Sequence, residues 1–90
     1  MATHFFMIYI ERDKDIKYKD VKNKMDSALD WYLLSEKLWI VYSSSDPEKW
    51  YGRLQKFVED SGSLFICRLE ESNRQGWMSK EFWEWPIKAR

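Results

Sequence analysis

The chain has 90 residues, with 15 basic side chains against 15 acidic ones, and six Trp, five Tyr and five Phe. One domain fills that length, and so rich an aromatic content excludes intrinsic disorder, because it offers enough apolar area to offset chain entropy. A formal net charge of zero supplies no field toward nucleic acid or an anionic membrane. With Cys67 and His4 alone of their kinds, an intramolecular disulfide and the usual Cys/His zinc cages are excluded, and a Ser-His-Asp triad would have to be built at the extreme N-terminus.

In chain order, His4-Phe5-Phe6-Met7-Ile8-Tyr9-Ile10 is a predicted strand, apolar in both phases as expected inside a sheet. Charges from Glu11 to Lys19 turn the chain. Val21, Met25, Ala28 and Leu29 then form one apolar stripe of a helix over about residues 17–29. Trp31-Tyr32-Leu33-Leu34 and Leu38-Trp39-Ile40-Val41-Tyr42, separated by Ser35-Glu36-Lys37, read as an antiparallel hairpin. Asp46 or Ser45 followed by Pro47 is a helix start, and Trp50, Leu54, Phe57 and Val58 make the apolar face of a helix ending near Ser61-Gly62. Ser63 to Leu69 is the last clear strand. Beyond Gly76, the run from Trp77 to Trp85 fits a short helix capped by Ser79 and stopped by Pro86, or a fifth strand.

The order strand, helix, strand, strand, helix, strand is that of an α+β, ferredoxin-like split βαβ fold (βαββαβ): an antiparallel four-stranded sheet with two helices on one face. No repeat or linker divides it, so residues 1–90 are expected to form a single domain, with a core of about 3–70 and an aromatic C-terminal extension over 76–90. Helices with one apolar stripe cover one sheet face. The strands carry hydrophobes in both phases, Phe5, Met7 and Tyr9 against Phe6, Ile8 and Ile10, and Leu38, Ile40 and Tyr42 against Trp39 and Val41, so one phase needs another cover.

Trp31-Tyr32-Leu33, Trp39-Ile40-Val41, Leu54, Ser63-Leu64-Phe65-Ile66 and Gly76-Trp77 make a pattern that resembles the small bacterial SinR-family proteins. These are similar in turn to the small ferredoxin-like CRISPR adaptation protein. The resemblance spans about Phe6 to Trp83 and rests mainly on core aromatics. It implies dimerisation through sheet and tail and, as in some members of the second family, metal-dependent nucleic-acid cleavage by an acid after the first strand. That family ends its first strand on tyrosine then aspartate; here the stretch is Tyr9-Ile10-Glu11-Arg12-Asp13, making Glu11 the nearest match and leaving Asp13 two residues later.

Glu11 and Asp13 are therefore the catalytic candidates, and with Asp15 the metal-ligand candidates, since carboxylates two apart in one turn, or paired across a dimer, can hold Mg²⁺ or Mn²⁺. Set ahead of a metal site for all three is a solvated turn in which Arg12 and Lys14 neutralise their neighbours. Lys17, Lys19 and Lys22 are the nucleic-acid candidates, set against interleaved acids that favour a solubilising helix face. Trp77, Phe82, Trp83 and Trp85 crowd a tail too short to shield them and are expected at an interface. Cys67 reads as a small buried hydrophobe and Ser43-Ser44-Ser45 as a capping loop.

Together these features favour a non-enzymatic homodimeric binding or regulatory module with a further protein partner and no cofactor. The alternatives are a divalent-metal nuclease and a phage- or plasmid-encoded inhibitor of a host protein. With no apolar run near the ~20 residues of a membrane span and no leader-like N-terminus, the cytoplasm, that of the host if phage-encoded, is the expected location.

Overall fold

A computed structural model describes residues 2–70 and 80–85. β1 (His4–Glu11) runs between two neighbours in a four-stranded sheet, which is why it is apolar in both phases. The hairpin strands β2 (Asp30–Ser35) and β3 (Leu38–Ser43) pair with each other, and β4 (Ser63–Arg68) completes the order β2-β3-β1-β4. Every neighbouring pair is antiparallel. β3 separates β1 from β2, and β1 separates β3 from β4. This is an α+β fold compatible with a ferredoxin-like arrangement. The hairpin slips register between Leu33 and Ser35, so its turn is tighter than the three residues expected from the sequence.

Two helices cover one face. α1 (Tyr18–Met25) buries Val21 and Met25, and α2 (Pro47–Leu54) buries Trp50 and Leu54, against Phe6, Ile8 and Ile10 of β1 and Trp39 and Val41 of β3. The Asp46 side chain accepts from Lys49 N at 2.9 Å, and Pro47 opens the helix, as its sequence signal requires. After Leu54 the helix tightens into a 3-10 turn, Gln55–Phe57, which keeps Phe57 on the buried stripe.

α1 is shorter than the span of 17–29 expected for it. Ser27 Oγ donates to Lys24 O at 2.6 Å and its amide takes the same carbonyl, ending the helix one turn early. Ala28 still packs on the core, but Leu29 is 67% exposed and does not belong to the apolar stripe.

The segment expected as helix or strand near the C-terminus is a helix in its described part, α3 (Lys80–Glu84). Ser79 and Pro86, its expected cap and stop, lie outside the described residues. α3 lies on the second face of the sheet, where Trp85 packs with Phe5 and Ile40, bordered by Tyr32, Leu34, Tyr42, Leu69 and Phe82. Among the described residues no helix is long and apolar enough to cross a membrane.

Two glycines respond oppositely to a methyl group. Gly52 is exposed within α2 and a Cβ there meets nothing within 4 Å. A Cβ on Gly62 would fall on the Glu11 carbonyl oxygen and within 2.9 Å of Val58 Cα and Cβ. Gly52→Ala is expected to stabilise by about 0.5–1 kcal/mol through helix propensity. Gly62→Ala is expected to destabilise, because the clash is with backbone that cannot swing aside. Thermal melts of the two proteins check both signs.

Candidate functional site

The acidic turn after β1 does not gather its carboxylates. Asp13 turns inward and is only 7% exposed. Its Oδ2 accepts from Asp60 N at 2.9 Å, and its Oδ1 accepts from Ser61 N at 2.8 Å and Gly62 N at 2.7 Å. Its own amide donates to Phe57 O at 2.8 Å. Three converging amides favour the ionised form. Donation from Asp60 and then Ser61, reinforced by Gly62, holds the carboxyl below its ordinary value despite the opposing effect of burial.

Glu11 looks elsewhere: its Oε2 accepts from Lys37 Nζ at 2.8 Å, an ion pair with both partners nearly half exposed, and this pairing raises the Lys37 pKa. Asp15 is exposed. Glu11, Asp13 and Asp15, weighed as ligands of one ion or as a solvated turn, do not converge, and for Asp13 both readings are corrected: it is buried and closes the turn before β4, while Glu11 ties β1 to the hairpin turn. Among the described residues no group of three or more His, Cys, Asp or Glu side chains is placed to hold a metal. The signal for Asp13 was present in the sequence as the Asp60-Ser61-Gly62 turn, whose successive amides can receive an anion, but only the tertiary structure brings Asp13 to it.

The lysines of α1 are likewise divided. Lys17 precedes the helix, Lys19 is exposed, and Lys22 reaches Asp26 at 3.3 Å with its ammonium 5.5 Å from the centre of the Trp31 ring. Asp26 in turn accepts from Trp31 Nε1 at 2.8 Å; that bond first, and Lys22 second, lowers its pKa. Asp26, one of the acids interleaved with these lysines, thus ties the end of α1 to β2.

The aromatic tail is partly spent within its own chain. Trp85 is 6% exposed, its ring 5.5 Å from Phe5 and 5.7 Å from Tyr32, and its Nε1 donates to Asp30 Oδ2 at 2.9 Å. Phe82 packs edge-on to Tyr32 at 5.4 Å and to Trp83 at 5.3 Å, and both Phe82 and Trp83 are half-buried. The expectation that Trp85 meets a second molecule is corrected: its apolar surface and its indole N–H are both satisfied by the sheet beneath it. Trp77, grouped with it as an interface residue, lies outside the described residues.

What α3 leaves bare follows from the register. Tyr42, Phe5 and Leu69 form one row across β3, β1 and β4 on the second face; Ile40, Met7 and Cys67 form the next, and Leu38, Tyr9 and Phe65 the third. Trp85 covers the first row and the Ile40 end of the second. On the third row and toward β4 the apolar surface is open: Phe65 is 58% exposed, Cys67 is exposed, and Met7, Tyr9 and Leu38 are half-buried. Cys67 is thus not the buried hydrophobe expected from its alternation with Ile66, because its phase points to this face. The Glu11–Lys37 ion pair, beside the paired Tyr9 and Leu38, borders the patch.

No protein-family model matches the chain, and no curated protein matches it in sequence.

Proposed function

We propose that the protein is a non-enzymatic binding module that works through protein–protein contacts and associates first with a second copy of itself, through the open part of the second sheet face beside β4. The observation that carries this reading is the exposed Phe65 at the end of a row of half-covered apolar side chains. A contiguous apolar patch framed by charge is the usual mark of an interaction surface. A formal net charge of zero means that two copies meet without long-range repulsion. The carboxylates that a metal nuclease would need are held by backbone amides and by Lys37, which weighs against that alternative.

The test is the solution mass of wild-type and Phe65→Glu proteins by sedimentation equilibrium, from sub-micromolar to tens of micromolar. The expected result is a wild-type dimer at the upper end and a folded monomer throughout for Phe65→Glu, since a buried unpaired carboxylate would oppose association. A wild-type protein monomeric over the whole range overturns the reading.

A further inference from the structure

The two edges of the sheet are not equivalent. β2 is interrupted by the register slip at Leu33–Ser35, and the acidic residues Asp30, Glu81 and Glu84 are among those that line the cleft of about 580 Å³ beside it. Bulges and charges are devices that stop one edge from pairing with another. β4 has no bulge, its pairing with β1 being unbroken from Ser63 to Arg68; its one charge, Arg68, stands at its end, and Ser63-Leu64-Phe65-Ile66-Cys67 contains no charge and no proline.

The phase of β4 is set by one bond. Leu69 N donates to Phe5 O at 2.8 Å, so the amides and carbonyls of residues 63, 65, 67 and 69 face β1. Those of Leu64, Ile66 and Arg68 face outward, and Leu64 and Ile66 meet no backbone partner there among the described residues.

We infer that β4 pairs with β4 of a second copy, antiparallel about a two-fold axis at Ile66, joining the two sheets into one of eight strands. This rests on the self-association proposed above and specifies its contact. An isologous interface requires a strand that can pair with itself, and the outward positions 64, 66 and 68 are centred on Ile66. In that register Ile66 meets its own copy and Leu64 meets Arg68 of the second copy, so every outward-facing residue of the strand is paired. Phe65 then stands opposite Cys67 of the second copy, and the two exposed apolar positions of β4 cover each other on the open face. An axis at Phe65 would instead set Arg68 opposite Gly62, beyond the strand's end.

Amide exchange of the native protein tests the pairing, followed by NMR in a concentrated and a dilute sample. The amides of Leu64, Ile66 and Arg68 are expected to exchange roughly tenfold or more slowly in the concentrated sample. Those of Phe65, Cys67 and Leu69 are expected to be protected in both. A dimer by mass whose outward amides show no such change packs by its faces; that overturns the edge pairing and leaves the self-association standing. A monomer by mass overturns both. The register is tested by Phe65→Cys, which places two thiols across a non-hydrogen-bonded pair whose Cα atoms stand about 4.5 Å apart, within disulfide reach. Oxidation is expected to give covalent dimers with Cys67 present and none with Cys67→Ser added. Covalent dimers that persist in the double variant place the axis at Phe65 and overturn the register.

Discussion

An Asp13→Ala protein is expected to melt many degrees below the wild type, the largest loss from any single charged side chain described. The substitution leaves the amides of Asp60, Ser61 and Gly62 without their acceptor at a point where the chain reverses into β4. Unmade bonds to partly buried donors cost more than the bonds themselves contribute. Asp13→Asn separates charge from shape. Its amide oxygen can keep Ser61 and Gly62, but its NH₂ group then faces Asp60 N, donor against donor, so an intermediate melting temperature is expected. The pH dependence has a defined sign. The folded pKa of Asp13 lies below the ordinary 3.8, so its contribution is fully present above that value and is lost as pH falls through the folded pKa. Acid titration of stability should show a shallower acid limb in Asp13→Asn than in the wild type. Superimposable limbs would mean that the carboxylate contributes nothing as an anion.

Trp39→Ala is expected to remove about 3–5 kcal/mol, the range for deleting a buried large aromatic side chain. Trp39 is fully buried, stacked on Tyr18 at 5.8 Å and edge-on to Trp31 at 4.9 Å. One side chain thus joins β3 to α1 and to β2, and its removal leaves a void that three elements cannot close together. At the ordinary 0.05–0.15 kcal/mol per residue, a chain of this length holds about 5–13 kcal/mol in all. The variant is therefore expected to fall near the threshold of folding, with a denaturant midpoint far below that of the wild type and of Trp39→Phe. A midpoint within the scatter of Trp39→Phe would show that the indole stack is not what joins these elements.

The two corrected side chains share one physical cause. Asp13 and Trp85 carry chemistry that suits a metal site and an interface, and each is instead consumed inside the chain, one by a nest of amides and the other by the sheet and Asp30. Sequence spacing places side chains along a segment and is silent on what comes to meet them from elsewhere in the chain. Asp13 and the Asp60–Gly62 turn are 47 to 49 residues apart, and Trp85 and Asp30 are 55 apart.

The sequence by itself determined the order of the elements, the two apolar stripes, the helix start at Asp46-Pro47 and the need for a second cover over the sheet. Each of these follows from local periodicity, from capping chemistry or from the number of apolar side chains that must leave water. Only the tertiary structure decided that α3 supplies part of that cover, that Phe65 and Cys67 are left outside it, and that Asp13 faces inward. Those outcomes depend on strand order and register, which bring residues distant in the chain onto one face, and a one-residue change of register would have exchanged the buried phase for the open one.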